Sequence, residues 1–182
     1  ACKASGCALL GGETAELPGM YADGEYDLAG FAVGVVSRPK IVTGARVAAG
    51  DRVIAVASSG LHSNGYSLAR KALERLGSDA RPEALGGRTV AEALLEPTRL
   101  YARAALGVLA SGADVRAMSH ITGGGLPGNL PRVLPEGKGA RLAPWSRPGI
   151  FDLVAAEGGV APAEMLRTFN CGVGYVFVVP PT

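Results

Sequence analysis

The glycine-rich stretch at residues 120–129, His-Ile-Thr-Gly-Gly-Gly-Leu-Pro-Gly-Asn, constrains the fold more than any other segment. It follows a short apolar run at residues 115–118 that is typical of a strand, and the apolar residues after it have the spacing of one helical face. A glycine turn between a strand and a helix lets an anion approach backbone N–H groups at the positive end of the helix dipole. The stretch therefore predicts that Gly123, Gly124 and Gly125 bind an anion such as phosphate.

Other interpretations of this stretch have less support. Gly123, Gly125 and Gly128 match the dinucleotide pattern Gly-x-Gly-x-x-Gly, but the next candidate strand, residues 139–143, lacks the acidic residue that would hold a ribose. The chain contains no Walker loop of the form Gly-x-x-x-x-Gly-Lys-Ser/Thr. A tight turn that uses glycine only for its geometry is the remaining alternative, although three consecutive glycines lose much backbone entropy on folding.

Composition limits the class of protein. The chain has 182 residues, 48% of them hydrophobic, which is enough to bury a core as one domain or as one domain plus part of another. The net charge is +2 and neither sign forms a block, so charge gives no argument for binding nucleic acid or a membrane surface. No run approaches the roughly 20 apolar residues of a membrane helix, and three cysteines without a Cys-x-x-Cys pair suit a reducing compartment. We expect a soluble, cytoplasmic protein.

A second turn follows a predicted strand at residues 52–60. It contains His62, Ser63 and Asn64, and a helical pattern of leucine and alanine comes directly after it. Ser63 or Asn64 is therefore expected to cap the helix. A His-Ser-Asn set at a helix N-terminus can hold an anion, but it can equally be a capping turn and nothing more.

A third turn, around Asn170, precedes a final predicted strand at residues 175–179. Its neighbour Cys171 is expected to be a small buried residue rather than a reactive thiol. The elements run in the order strand, helix, helix, helix, strand, helix, strand, helix, strand, which predicts an α/β fold with helices covering a mixed sheet. Because each of the three turns adjoins a strand end, we expect them to meet on one rim of that sheet.

The first forty residues carry a separate signal. Glu13 and Thr14 follow two glycines, and a carboxylate at a strand end is a suitable oxygen ligand for Mg²⁺. A solvated acidic turn is the alternative. Residues 27–36 form a long apolar run that predicts a strand buried on both faces. Because the chain begins with Ala and its first residues have the character of a domain interior, we expect the sequence to be a fragment.

Four motifs together resemble the aminoimidazole ribonucleotide synthetases, also called phosphoribosylformylglycinamidine cyclo-ligases. Each motif alone is moderately specific, whereas four in the family's order across nearly the whole chain are highly specific. The motifs are GGETAELPGM at residues 11–20, HSNGYSL at residues 62–68, TGGG at residues 122–125 with LPRVLP at residues 130–135, and RTFNCGVG at residues 167–174.

The resemblance implies an ATP-dependent ligase of de novo purine biosynthesis that closes the imidazole ring of formylglycinamidine ribonucleotide and releases ADP and phosphate. It implies ATP and Mg²⁺ as cofactors and a homodimeric enzyme. Residues 1–42 would be the tail of an N-terminal domain for dimerisation and ATP binding, and residues 43–182 a C-terminal α/β domain truncated at its end. The family's N-terminal nucleotide motifs are absent from this sequence, so we expect the chain by itself to be inactive.

The same resemblance, with the turn chemistry, suggests roles for individual residues. His120 would either help to bind the substrate phosphate or transfer a proton during ring closure. The alternatives for the whole chain are a relative with the same fold, such as formylglycinamidine ribonucleotide synthetase or a small-molecule kinase, and a non-catalytic ligand-binding module. The expected nucleotide-binding residues are Glu13, Thr14 and Asn170, with Glu13 also a metal ligand, and the expected substrate phosphate-binding residues are His62, Ser63, Asn64, Gly123, Gly124 and Gly125.

Overall fold

The computed structural model describes residues 1–181, which separate into two units, Ala1–Ile41 and Val42–Thr182. The first unit contains a short helix, α1, at Cys2–Ser5 and a 3₁₀ turn at Arg38–Lys40. Helix α1 ends at Gly6, whose φ of 80° places it in the left-handed region. Nearly all side chains of this unit are exposed.

The strand predicted at residues 27–36 is not formed, and that prediction was wrong. The side chains of Phe31, Val33 and Val35 are 96%, 98% and 101% exposed. A strand needs a neighbour that pairs with its N–H and C=O groups, and the described part of the first unit contains no other strand. The apolar pattern indicates a segment suited to burial, but it does not supply the partner that would bury it.

The second unit is built around a three-stranded sheet. Strands β1 (Arg52–Ala57), β2 (Ala117–His120) and β3 (Val173–Val179) lie in the order β1-β3-β2. Both described pairings are antiparallel, with Val53 opposite Val178 and Met118 opposite Phe177. Strand β3 is rich in β-branched residues and mostly buried, as expected for the central strand.

Six α-helices accompany the sheet in the described part of the second unit, and they confirm the predicted α/β class. Helix α3 begins with a reciprocal cap, in which the Thr89 hydroxyl accepts from the N–H of Glu92 and the Glu92 carboxylate accepts from the N–H of Thr89. The helices are α2 (Tyr66–Leu73), α3 (Val90–Leu94), α4 (Ala102–Ala110), α5 (Gly125–Asn129), α6 (Gly149–Gly158) and α7 (Pro162–Thr168).

Two apolar clusters hold the second unit together. The first lies among α2, α3, α6 and α7, where the rings of Phe151 and Phe169 meet edge to face at 6.1 Å. The second lies on one face of the sheet and includes Val176 and Val178 of β3 with Leu126 of α5. Among the described helices, none combines the length and apolar character needed to cross a membrane.

The segment at residues 139–143, considered as a strand from its sequence, has no regular secondary structure. It forms part of the wall of a cavity of about 740 Å³ that also touches Val53, Ala55 and Trp145. Ala55 pairs with Val176, which belongs to the apolar cluster on the sheet. Since side chains alternate between the faces of a strand, this cavity lies on the face opposite Tyr175 and Phe177.

Candidate functional site

The three polar turns of the second unit meet on one rim of the sheet, as the sequence predicted. The N–H of Ser58, just after β1, donates to the carbonyl of Gly172 at 2.9 Å. The N–H of Ile121, just after β2, donates to the carbonyl of Gly174 at 2.9 Å. Antiparallel pairing explains the meeting, because the ends of β1 and β2 lie beside the beginning of β3.

Asn170 ties two of these turns together from inside the protein. Its side chain is only 2% exposed. The side-chain amide donates to the carbonyls of Gly60 at 2.9 Å and Leu61 at 3.3 Å, and its oxygen accepts from the N–H of Gly172 at 2.8 Å. Both amide hydrogens are therefore used within the fold. The side chain contributes to a site at this rim by holding the turns in place.

His62 is buried with one ring nitrogen left without a partner. Its backbone has a φ of 61°, which is uncommon outside glycine. Nε2 accepts from the backbone N–H of Ser59 at 3.2 Å, so the proton of the neutral ring lies on Nδ1. Nδ1 is buried and has no hydrogen-bond partner. An unpaired buried donor costs free energy that an incoming acceptor, such as a phosphate oxygen, would recover.

Neither Ser63 nor Asn64 caps helix α2, and that prediction was wrong. The N-cap is Gly65, with a φ of 76°. A Cβ at this position would lie 2.3 Å from a ring carbon of Phe169. The chain must pass Phe169 closely, which only glycine allows. Ser63 instead shares a hydrogen bond of 3.0 Å with the Thr98 hydroxyl.

The glycine turn is fastened to the His-Ser-Asn turn through Asn64, whose side-chain oxygen accepts from the N–H of Gly123 at 2.9 Å. The N–H of Gly125 donates back to Thr122 at 3.0 Å. Gly124 has a φ of 95°, and no described residue accepts a hydrogen bond from its N–H. Of the three glycines, Gly124 thus offers the free donor, and it is exposed.

Gly125 and Asn129 give the turn its shape for reasons unrelated to a ligand. A Cβ on Gly125 would lie 1.9 Å from the carbonyl oxygen of Leu166 in α7, so the close contact between α5 and α7 requires glycine. The buried amide of Asn129 donates to the carbonyls of Thr122, Gly123 and Gly125 at 3.2, 3.2 and 2.8 Å. These hydrogen bonds from Asn129 hold the turn rigid.

His120 ends β2 on the face of the sheet that carries Tyr175 and Phe177. Its ring centroid lies 6.4 Å from that of His62 and 6.1 Å from that of Tyr175. Partial burial lowers the pKa of His120 below its usual value of 6.5. At neutral pH the ring is uncharged, which suits both a hydrogen-bonding role and the acceptance of a proton.

Sequence reasoning missed three further residues that contact this site. Thr98 bonds to Ser63, while Arg99 and Tyr101 both donate to the carbonyl of Ala57, at 3.1 and 2.9 Å. They lie in a polar and aromatic stretch between Pro97 and the start of helix α4 at Ala102, where no periodic pattern marks a site. Arg99 supplies positive charge near His62.

Glu13 and Thr14 lie in an exposed segment of the first unit that has no regular secondary structure, and Glu13 does not end a strand. No group of three or more His, Cys, Asp or Glu side chains that could hold a metal ion occurs among residues 1–181. Mg²⁺ carried by a nucleotide needs only one or two protein carboxylates, because phosphates and water fill its other positions. A single carboxylate such as Glu13 fits that requirement.

The lowered histidine pKa values predict a loss of stability in weak acid. Burial, then the charges of His120 and Arg99, lower the pKa of His62 below its usual value of 6.5. Below pH 6.5 these two histidines therefore bind more protons in the unfolded chain than in the folded chain. Their contribution to stability is complete above pH 6.5 and is lost as the pH falls. The free energy of unfolding, measured with urea, should decrease from pH 7.5 to pH 5.5.

The variant His62→Gln provides the control for this prediction, because it removes one of the two titrating rings. Its stability should decline less than that of the original chain over the same pH interval. The carboxyl groups with lowered pKa values, Glu92 and Asp114, titrate in more acidic solution and do not contribute in this window. Identical pH profiles for the variant and the original chain would contradict the assignment.

Comparison with known proteins gives one consistent result. A family model described as AIR synthase related protein, C-terminal domain, matches residues 48–182. Phosphoribosylformylglycinamidine cyclo-ligase of Anaeromyxobacter dehalogenans (strain 2CP-1 / ATCC BAA-258) is 66% identical, over 99% of this chain and 53% of that protein. The protein of the same name from Sorangium cellulosum (strain So ce56) is 66% identical, over 98% of this chain and 53% of that protein.

A more distant example, also called phosphoribosylformylglycinamidine cyclo-ligase, comes from Symbiobacterium thermophilum (strain DSM 24528 / JCM 14929 / IAM 14863 / T) and is 56% identical over 98% of this chain and 52% of that protein. The chain thus spans about half the length of the curated relatives it matches. These matches confirm the resemblance seen in the four motifs. The chain belongs to the family of AIR synthase related proteins, and residues 48–182 match the C-terminal domain of that family.

Proposed function

We propose that this chain is part of an enzyme that closes the imidazole ring of formylglycinamidine ribonucleotide, using ATP and releasing ADP and phosphate, in purine biosynthesis. The observation that carries the proposal is the meeting of three turns, which places His62, His120 and the free N–H of Gly124 on one rim of the sheet. The names of the relatives, which are cyclo-ligases, support the same reaction.

The rim is suited to binding the ribose 5′-phosphate of the substrate. It offers the N–H of Gly124, the unpaired Nδ1 of His62 and the charge of Arg99. Ser63 and Asn64 belong to this site as residues that fasten its turns, since their side chains bond to Thr98 and Gly123. Gly123 and Gly125 contribute the shape of the turn.

In this proposal ATP converts the formyl amide oxygen into a leaving group, after which an amidine nitrogen attacks the same carbon to close the ring. That nitrogen must lose a proton. His120 is positioned to accept it, because the residue is partly exposed at the end of β2 and its ring is uncharged at neutral pH. The alternative role for His120 is to donate a hydrogen bond to the substrate phosphate. Loss of proton transfer lowers kcat, whereas loss of phosphate binding raises KM.

The nucleotide side of the reaction is assigned to other residues. Glu13 would hold Mg²⁺ together with the nucleotide phosphates, and Thr14 would hydrogen bond to the nucleotide. Asn170 supports the nucleotide indirectly, because its amide is used within the fold. We further propose a cytoplasmic homodimer in which residues 1–42 belong to a dimerisation and ATP-binding domain and residues 43–182 to the C-terminal domain. The chain alone would then be inactive.

The proposal is tested by incubating the full-length protein with formylglycinamidine ribonucleotide, ATP and Mg²⁺. We expect ADP and inorganic phosphate to form in equal amounts with the aminoimidazole product, and only when the amidine substrate is present. A small-molecule kinase would instead give a phosphorylated product without free phosphate, and a ligand-binding module would consume no ATP. Either of those outcomes would overturn the assignment.

A further inference from the structure

Tyr101 stands among the aromatic rings of the site and is 7% exposed. Its ring centroid lies 5.9 Å from that of His62, 5.7 Å from that of His120 and 5.3 Å from that of Tyr175. Its hydroxyl donates to the carbonyl of Ala57 at 2.9 Å. The ring is therefore anchored at one end to strand β1 and contacts both histidines, one from the turn after β1 and the other from the end of β2.

An irregularity in the central strand makes room for this ring. Val56 pairs with Tyr175 and Ala57 pairs with Val173, so Gly174 is an extra residue of β3, and the ladder shifts its register at this point. A Cβ at Gly174 would lie 1.9 Å from the Tyr101 hydroxyl oxygen and 2.6 Å from Cε1 of His62. The bulge thus needs glycine because Tyr101 and His62 both press against the backbone there.

Backbone carbonyls at the bulge also connect the segments that carry the two histidines. The carbonyl of Gly174 accepts from the N–H of Ile121, the residue after His120. The carbonyl of Ala57, beside the register shift, accepts from both Tyr101 and Arg99. Bulges are frequent next to active sites because they redirect side chains. Here one extra glycine allows a tyrosine to lie against two histidines.

We propose that Tyr101 is the positioning residue of the histidine pair: seated on the Gly174 bulge, it holds the ring of His62 in its buried place and fixes the spacing to His120. The proposal rests on the proposed function, which gives the two histidines their ligand. It adds a residue that touches neither substrate nor nucleotide and acts through the rings it contacts. The charged and titratable groups near His62 are His120, Arg99 and Tyr101, and Tyr175 lies against both Tyr101 and His120.

The chain contains only 2 histidines, so nuclear magnetic resonance can follow both without ambiguity. Long-range ¹H–¹⁵N spectra of the ligand-free chain report the tautomer and the pKa of each ring. In the original chain we expect His62 to be protonated on Nδ1 when neutral and both pKa values to lie below the usual value. Tyr101→Met fills most of the space without a ring, and it should raise the pKa of His62 toward the usual value.

Tyr101→Phe keeps the ring and removes only the bond to Ala57, so it should shift the pKa of His62 in the same direction by a smaller amount. Tyr26→Phe is the matched control, since Tyr26 is 82% exposed in the first unit and should leave both titrations unchanged. An unchanged titration of His62 in a folded Tyr101→Met chain would overturn the proposal. If that variant does not fold, unchanged titrations in Tyr101→Phe would overturn it.

A kinetic measurement separates positioning from general support of the fold. In the full-length protein, Tyr101→Met should lower kcat at least about tenfold while leaving the KM for ATP within about twofold, because small displacements of reacting groups are costly. A rise in the KM for ATP as large as the fall in kcat, or no change in either parameter, would contradict a positioning role. The resonance experiment needs no turnover, so its outcome stands even if the protein catalyses a different reaction from the one proposed.

Discussion

Replacing Gly125 with alanine should destabilise the folded chain by about 2–5 kcal/mol. The new Cβ would lie 1.9 Å from the carbonyl oxygen of Leu166, a backbone atom of α7 that cannot rotate away. Gly125 also has a φ of 57°, where an L-residue loses about 1–2 kcal/mol relative to glycine. Overpacking adds about 1–3 kcal/mol. Together these losses are a large part of the roughly 5–15 kcal/mol that stabilises a typical domain.

Gly128→Ala is the matched control, because both glycines belong to the short helix α5. Nothing lies within 4 Å of a Cβ at Gly128, and its φ is not in the left-handed region. Alanine there should be neutral or stabilising by about 0.5–1 kcal/mol. Urea unfolding of both variants measures the difference. Equal stability of Gly125→Ala and Gly128→Ala would show that α5 and α7 are not packed as described.

Asn170→Asp should cost about 3 kcal/mol or more, although the two side chains have nearly the same shape. The amide nitrogen of Asn170 donates to the carbonyls of Gly60 and Leu61. An aspartate would replace that donor with an oxygen. A buried carboxyl oxygen would then lie against two backbone carbonyl oxygens, with no donor between them. Burying an unpaired charge or leaving buried carbonyls without donors costs several kcal/mol. The loss should be greatest at neutral pH, where a carboxyl group tends to ionise.

The same substitution at Asn64 serves as the control, because Asn64 uses its side-chain oxygen as an acceptor from the N–H of Gly123. Aspartate retains an acceptor there, and the residue is only partly buried, so Asn64→Asp should change the free energy of unfolding by less than about 1 kcal/mol. Urea unfolding at pH 7.5 compares the two variants. An unchanged free energy of unfolding in Asn170→Asp would contradict the hydrogen bonds assigned to Asn170.

The sequence predicted the rim of the site because its signals are local. Glycines beside strand ends mark turns, and antiparallel pairing of the strands brings those turns together. The reason for each glycine could not be predicted, since it depends on residues distant in sequence. Gly125 faces Leu166, and Gly65 faces Phe169, contacts that exist only once the helices have packed.

Two other failures have the same origin. The apolar run at residues 27–36 was expected to be buried, but burial requires a partner that periodicity does not identify. Tyr101 had the pattern of a residue at the start of a helix, and its place between two histidines depends on a bulge at Gly174 in a strand more than 70 positions away. Sequence periodicity predicts elements, whereas such contacts between distant residues arise from the assembled sheet.

The central claim is that the rim formed by the three turns binds the phosphate of the substrate. The most direct measurement is the titration of this chain with ribose 5-phosphate, followed through the resonances of its 2 histidines. We predict that the signals of both His62 and His120 shift and saturate together, and that formylglycinamidine ribonucleotide gives the same shifts at lower concentration. If the folded chain shows no shift of either histidine with either compound, the rim does not bind the substrate phosphate.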